Sequence, residues 1–424
     1  MLQKPKAILI GVDCDNQMNF KNSMEELSRL AEACDIEVVG LISQKSSRAS
    51  KSRYIGTGKI QEVFELVSEK NADLIISNDE LSASQISNLE EDLNCEIIDR
   101  TVLILNIFAQ RAKTREAKLQ VEIAQLYYQL PRLIGLRESL GRQRGGTGFY
   151  NRGSGETKLE LDRRRIESRI SALNNELKAL VLDRQNQRKK RKKTEVPVVA
   201  LVGYTNSGKS TIMNAMLDMY QSPTDKKVFE KDMLFATLET SVRRIGMTAN
   251  KSFLLTDTVG FISKLPHQLV KAFRSTLEEV SEADVIIHVV DYSNLNYKHQ
   301  IEVTQETLKE IGVNNIPVIY AYNKIDLLDD NISRIEEDRV YIAAKKKDGI
   351  DKLVYAIHQS AFPVYINCEM LIPYDKGSIV SYLNDNADIK STEYLEDGIL
   401  MSLECKQADY EKFKQYSKQI SLYS

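Results

Sequence analysis

The chain has 424 residues, 42% hydrophobic and 28% charged, which is enough apolar content for packed cores and room for about three domains. No apolar run approaches the ~18 residues of a membrane helix, and Met1–Ile10 is too brief for a signal peptide and reads as a strand. The five cysteines (14, 34, 95, 368, 405) form no C-x-x-C pair, which argues against a disulfide framework or zinc site and fits a reducing cytoplasm. The net charge of −2 conceals an asymmetry: Arg111 to Lys193 carries 22 Lys/Arg against 9 Asp/Glu, and the remainder is acidic. One basic section in an acidic chain suggests a local polyanion contact; a solvated helical face is the plainer alternative.

From the N-terminus, Ala7–Val12, Glu37–Leu41, Asp73–Ser77 and Glu96–Ile98 read as buried strands. Ser23–Cys34, Ile60–Glu69 and Ser84–Leu93 space their apolar residues at helical intervals. The alternation predicts an α/β domain over 1–104 with a mainly parallel sheet. Across 105–193 the period changes. Leu119, Ile123, Leu126, Leu130 and Leu133, then Ile166, Ile170, Leu173, Leu177 and Leu180, follow heptad-like spacing and predict an antiparallel helical hairpin. Pro131 should kink or end the regular part of the first helix. The connecting segment Gly141–Gly155 holds six glycines together with Arg142, Arg144, Phe149, Tyr150 and Arg152. Arginine suits phosphates and aromatic rings suit unstacked bases, so this tip is a candidate RNA probe; a simple connector is the alternative. Arg188–Lys193 reads as a solvated linker.

The segment 194–362 returns to a strand, loop and helix pattern. Val198–Val202 leads into Gly203, Tyr204, Thr205, Asn206, Ser207, Gly208, Lys209, Ser210 and Thr211, a G-x-x-x-x-G-K-S loop between strand and helix. Glycines let backbone N–H groups wrap phosphates, and the helix N-terminus adds positive potential. Lys209 is expected at the β- and γ-phosphates and the Ser210 hydroxyl on Mg²⁺. Phe253–Thr256 ends in Asp257 and Gly260, candidates for holding Mg²⁺ through water and for sensing the γ-phosphate. Val285–Val290 and Val318–Tyr322 are further strands, and the second runs into Asn323, Lys324 and Asp326. Asp326 can accept from guanine N1–H and the 2-amino group, Asn323 can serve the other edge, and the Lys324 stem can lie on the ring. Charged hydrogen bonds at about 1.5–3 kcal/mol each would favour GTP over ATP by roughly a few hundredfold. Ala343, Ala344 and Lys345 fit a loop whose backbone meets the guanine carbonyl.

Thr237, after the polar stretch Gln221–Asp232, is the candidate to close on Mg²⁺ and the γ-phosphate, with Thr240 as second choice. Lys209, Thr237 and Gly260 are the expected catalytic set. Phe261 stands where many small GTPases use glutamine to orient water, which predicts slow intrinsic hydrolysis. Arg243 or Arg244 could act as an arginine finger, while His288, inside a core strand, reads as a buried structural histidine. The final segment, 363–424, mixes strands (Tyr365–Ile372, Gly398–Cys405) and helices in a small α+β domain without a chemical motif.

With these residues in place, the chain resembles the HflX family of ribosome-associated GTPases over nearly its full length. The matches beyond generic GTPase motifs are Tyr54–Lys59 (YIGTGK), Ile98–Thr101 (IDRT), Arg111–Glu122 (RAKTREAKLQVE), Gly153–Glu160 (GSGETKLE), Leu234–Leu238 (LFATL) and Asp257–Ile262 (DTVGFI). The resemblance implies a cytoplasmic, monomeric GTPase using GTP and Mg²⁺. It implies binding to the large ribosomal subunit and its rRNA, and the splitting of stalled or idle ribosomes, with the hairpin tip reaching toward the peptidyl-transferase region. A GTP-gated rRNA-binding or assembly factor without splitting activity is the alternative. The N-terminal domain is similar to one credited in some members with binding ATP; a structural turn is the plainer reading of Gly56-x-Gly58-Lys59.

Overall fold

The computed structural model describes residues 4–14, 20–143, 152–192, 196–220, 235, 241–246, 252–265, 269, 279–329, 332–362 and 365–418, with backbone alone for 134–143, 152–159 and 183–192. The chain forms two compact units. One comprises Met1–Lys190, Glu230–Glu239 and Val259–Glu278; the other comprises Arg191–Phe229, Thr240–Thr258 and Glu279–Ser424.

In the first unit, β1 (Lys6–Asp13), β2 (Glu37–Lys45), β3 (Leu74–Ser77) and β4 (Glu96–Asp99) make a parallel sheet in the order β2-β1-β3-β4. Helices α1 (Phe20–Ala33), α2 (Thr57–Lys70) and α3 (Ala83–Leu93) connect the strands. A central parallel strand is covered on both faces, which is why Ala7–Ile10 is continuously apolar and fully buried. Ser82 and Gln85 form a reciprocal capping box at the start of α3.

Three long helices follow: α4 (Arg100–Arg111), α5 (Arg115–Gln143) and α6 (Arg152–Lys192). Arg115 pairs with Glu176 at 2.7 Å and Glu122 with Arg169 at 2.7 Å. Partners on α6 thus run backward, from 176 to 169, as α5 advances from 115 to 122, as an antiparallel hairpin requires. Leu119, Ile123 and Leu173 form its buried seam, with Leu126, Leu177 and Leu180 packed against them. Pro131 does not end α5, which continues past it. The helices run into the expected Gly141–Gly155 loop from both sides, so Gly141, Arg142 and Arg152–Gly155 are helical. Each added helical residue gains a hydrogen bond, which offsets a glycine cost of about 1 kcal/mol. Arg188–Lys192 is helical too, where a linker was expected; Lys and Arg are good helix formers and suit the negative end of the helix dipole.

The second unit contains a seven-stranded sheet in the order β10-β11-β9-β8-β5-β7-β6. Its strands are β5 (Val198–Gly203), β6 (Ser241–Gly246), β7 (Ser252–Asp257), β8 (Val285–Asp291), β9 (Val318–Asn323), β10 (Arg334–Glu336) and β11 (Arg339–Tyr341). The inner pairings are parallel, and β6 and β10 add antiparallel edges. Helices α7 (Lys209–Tyr220), α8 (Tyr297–Glu310) and α9 (Ile350–Ala361) belong to this sheet. Its core is built from Val199, Leu201, Phe253, Ile287 and Ile319 of the strands, with Met213, Met216, Leu353 and Ile357 of α7 and α9. A three-stranded antiparallel sheet, β12 (Tyr365–Ile372), β14 (Gly398–Lys406) and β13 (Asp388–Leu395) in that order, carries α10 (Gly377–Asn386) and α11 (Gln407–Phe413). Strand β13 was not expected from the sequence. No described helix is long and apolar enough to cross a membrane.

Candidate functional site

The apolar strand β5 ends at Gly203, and α7 begins at Lys209, so the glycine-rich loop lies between a sheet terminus and a helix N-terminus. Gly203 has φ +146°, and a Cβ there would sit 2.2 Å from the Val289 carbonyl oxygen. Gly208 has φ +98°, and its Cβ would sit 2.2 Å from Asn323 Nδ2. Both positions therefore require glycine. Asn206 supplies a further left-handed residue at φ 60°. Tyr204, Thr205 and Ser207 are buried, and Ser207 Oγ has no hydrogen-bond partner among the described residues. Ser210 and Thr211 lie in the first turn of α7.

Lys209 is buried and donates from Nζ to the carbonyls of Gly203 (3.1 Å) and Tyr204 (3.0 Å). Burial lowers its pKa to about 8, and the Asp257 carboxylate opposes that shift. A desolvated ammonium at a helix N-terminus calls for an anion. His288, whose register partner on β5 is Val202, is pushed down to about 4 by burial and then by the Lys209 charge. It is a neutral, buried histidine whose ring lies tilted at 33° to that of Tyr320, with centroids 5.3 Å apart.

Ser210 Oγ donates to Asp257 Oδ2 at 2.7 Å, which brings the two expected Mg²⁺ residues together. A hydroxyl and a fully buried carboxylate are the hard oxygen donors that Mg²⁺ prefers. Thr258 Oγ1 anchors the end of β7 to the Leu201 carbonyl at 2.7 Å. Thr237 lies outside the described residues. Gly260 and Phe261 belong to the first unit, where Phe261 is 2% exposed.

Asn323 bridges two loops of the site. Its Nδ2 donates to the Ser207 carbonyl (2.9 Å), and its Oδ1 accepts from Ala344 N–H (3.0 Å). Through these two bonds the buried Asn323 tethers the phosphate loop to the 343–345 loop, and its amide keeps a second N–H for a further partner. Lys324 has φ 68° and pairs with Asp291, while Asp326 sits on a single 3₁₀ turn (Ile325–Leu327), 3.5 Å from Lys346. The Ala343 N–H donates to the Asp348 carbonyl at 3.0 Å, so the expected backbone donors at 343 and 344 are both engaged; Lys345 is exposed in the following 3₁₀ turn.

Several other candidates are accounted for. Arg244 Nε donates to Ser252 Oγ at 2.9 Å across β6 and β7, and Arg243 Nη1 to the Val242 carbonyl at 3.0 Å, a structural setting for both. On α6, Arg163, Arg164, Arg165 and Arg169 pair with Glu167, Glu160, Asp162 and Glu122, so their stripe is largely neutralised. Arg144, Phe149 and Tyr150 lie outside the described residues; Arg142 and Arg152 are described by backbone alone. Gly56 is an ordinary helix N-cap whose N–H donates to Gln44 Oε1 at 2.7 Å, and Lys59 pairs with Glu62 at 2.6 Å.

Sequence reasoning missed a polar cluster around the ends of β3 and β4. The fully buried Asp99 caps α4 through Val102 N–H (3.0 Å) and accepts from Leu81 N–H (3.0 Å), Tyr128 OH (2.8 Å) and Arg132 Nη2 (2.9 Å). Next to it, Arg100 is 2% exposed and bonds Glu26, Asn78 and the Ser263 carbonyl. Lys264 pairs with Asp79 at 2.5 Å, and Phe235 packs edge-to-face on Phe108 with centroids 4.7 Å apart. The segments around Phe235 and Ser263 are thus held by the N-terminal sheet and α4. The sequence signal was the IDRT stretch, whose Asp99 and Arg100 supply the buried charges.

Family models match three consecutive stretches: a GTP-binding GTPase N-terminal region (21–109), a GTP-binding GTPase middle region (111–191) and a 50S ribosome-binding GTPase (198–324). A GTPase HflX of Caldanaerobacter subterraneus is 44% identical, covering 95% of this chain and 91% of the relative. One from Alkalihalophilus pseudofirmus is 41% identical, covering 92% and 90%, and one from Escherichia coli is 37% identical, covering 93% and 91%. The buried P-loop lysine and the Ser210–Asp257 pair both fall within the stretch that matches the 50S ribosome-binding GTPase model. The chain is a GTP-binding GTPase and belongs to the HflX family.

Proposed function

We propose that the protein binds the large ribosomal subunit and, in its GTP form, separates the subunits of stalled or idle ribosomes, with hydrolysis stimulated by the ribosome. The observation that carries this reading is the match of 198–324 to a model described as a 50S ribosome-binding GTPase, within family relatedness along the whole chain. The basic hairpin supports it, because helices α5 and α6 lead toward a tip containing Arg142, Arg144, Phe149, Tyr150 and Arg152. Those residues are the proposed rRNA contacts.

The P-loop from Gly203 to Thr211 would cradle the phosphates, and Lys209 would supply the buried positive charge they need. Asp326 would read the guanine edge, the Lys324 stem would cover the ring, and the Lys345 N–H is the loop amide proposed to meet the base carbonyl. Ser210 and Asp257 would hold Mg²⁺, joined by Thr237; the bound ion would neutralise phosphate charge. Gly260 would sense the γ-phosphate. Phe261 has no group that could orient water, so intrinsic hydrolysis is slow and the ribosome completes the site.

Intact ribosomes incubated with the protein and a non-hydrolysable GTP analogue should fall apart into subunits, and GTP turnover should rise about a hundredfold or more with large subunits. Binding to free large subunits with intact ribosomes left whole would favour a GTP-gated assembly factor instead.

A further inference from the structure

We infer that Asp291 is a positioning residue for guanine-nucleotide binding, acting through Lys324. The inference rests on the reading above that Lys324 covers the base. Asp291 is the last residue of β8 and lies opposite Asn323, the last residue of β9. Its Oδ2 accepts from Lys324 Nζ at 2.7 Å, with the side chains 17% and 25% exposed respectively. Its Oδ1 accepts from Ser293 Oγ (2.6 Å) and Ser293 N–H (3.2 Å), which fixes the carboxylate plane.

A lysine that must lay a flexible four-carbon stem on a flat ring loses rotamer freedom on ordering. Pinning the ammonium to a carboxylate that is itself held twice removes much of that loss before the nucleotide arrives. The backbone at Lys324 is already committed to φ 68°, so the stem leaves the chain in one direction.

The support behind this pair is rigid. Tyr292 N–H donates to the Asn323 carbonyl at 2.9 Å, locking the two strand ends together. The Tyr292 ring packs edge-to-face on Tyr297, Tyr322 and Tyr341, with centroids 5.1–5.5 Å apart. Arg334 stacks over Tyr341, its guanidinium carbon 4.0 Å from the ring centroid. Aromatic boxes of this kind hold a loop without consuming its polar groups. These tyrosines pack beside the strand ends that carry Asp291 and Asn323.

The test is steady-state kinetics and GDP binding for Asp291→Asn, Lys324→Met and the double variant. Asp291→Asn keeps the Ser293 contacts and removes the charge. It should raise the GDP Kd and the KM for GTP about tenfold while kcat changes less than twofold. The double variant should bind no more weakly than Lys324→Met alone, and the Tm of Asp291→Asn should stay within about 2 °C of the parent. Additive losses, an unchanged Kd, or a fall in kcat and Tm together would overturn the inference. A parent protein that binds ADP as well as GDP would instead sink the base-reading assignment on which it rests.

Discussion

Lys264 Nζ lies 2.5 Å from Asp79 Oδ1, and the other oxygen of Asp79 accepts from Tyr54 OH at 2.5 Å. The pair fastens the segment after Asp257-x-x-Gly260 to the end of β3, beside the Arg100–Ser263 contact. The partners are 44% and 34% exposed, so the pair contributes less than about 1 kcal/mol to stability. Lys264→Met should therefore leave Tm nearly unchanged and raise basal GTP turnover about two- to fivefold, as the segment is freed. Unchanged turnover at unchanged Tm would mean that the clasp carries no regulatory weight.

Lys209 makes nucleotide binding depend on pH. Its pKa is about 8 in the nucleotide-free protein, whereas phosphate favours the charged form. As pH rises through 8 the free protein loses the proton that the complex keeps, so binding must take one up. Apparent GDP affinity should fall up to about tenfold per pH unit above about 8 and stay flat below about 7. The same shift makes Lys209 stabilise the free protein less when charged: its stability contribution rises between about pH 8 and 10.5, the window between folded and unfolded values. Isothermal titration between about pH 6.5 and 9 checks the first statement, with Lys209→Met as the variant in which the slope disappears.

Much of the site was legible because its residues are chemically rare in their places. A lysine between a glycine and a serine at a strand–helix junction has few structural reasons to exist, and Asp326 follows a buried strand in the same way. The hairpin seam was legible because Leu119, Ile123 and Leu173 keep a strict period. Strand β6 was not, because Ser-Val-Arg-Arg-Ile-Gly forms an edge whose arginines belong to a hairpin and not to a core. Strand β13 is exposed along most of its length and carries almost no apolar pattern. Helix α4 is buried so widely that its apolar residues show no single face. The tether made by Asn323 was hidden for another reason: only the fold brings the Ser207 carbonyl and the Ala344 N–H to its amide.

Gly208 tests how far the phosphate loop depends on backbone geometry. A side chain there needs φ +98° and would drive its Cβ into Asn323 Nδ2. Backbone strain of this kind costs about 1–3 kcal/mol, and relieving the clash would break the Asn323–Ser207 tether. Gly208→Ala should lower Tm by several degrees and weaken GDP by at least about tenfold, measured by thermal unfolding and by fluorescent-nucleotide titration. Asn323→Ala should reproduce the binding loss without the backbone strain. A Gly208→Ala protein that binds GDP normally would show the loop to be more pliant than its dihedrals indicate.

Asp326 can be separated cleanly from its neighbours. Its contact with Lys346 spans 3.5 Å, and the lysine is 63% exposed, so losing it costs little stability. A carboxylate accepts two hydrogen bonds from guanine. In Asp326→Asn an amide N–H replaces one acceptor, which turns a favourable contact with the 2-amino group into donor against donor. Xanthine presents a carbonyl at that position, so the amide suits it. GTP affinity should fall by about a hundredfold or more, xanthosine triphosphate should gain, and Tm should hold. Competition titration of GTP, ATP and xanthosine triphosphate against a fluorescent nucleotide measures all three. Unchanged GTP affinity would remove Asp326 as the base-reading residue and would leave Lys324 and the Lys345 amide to supply the selectivity.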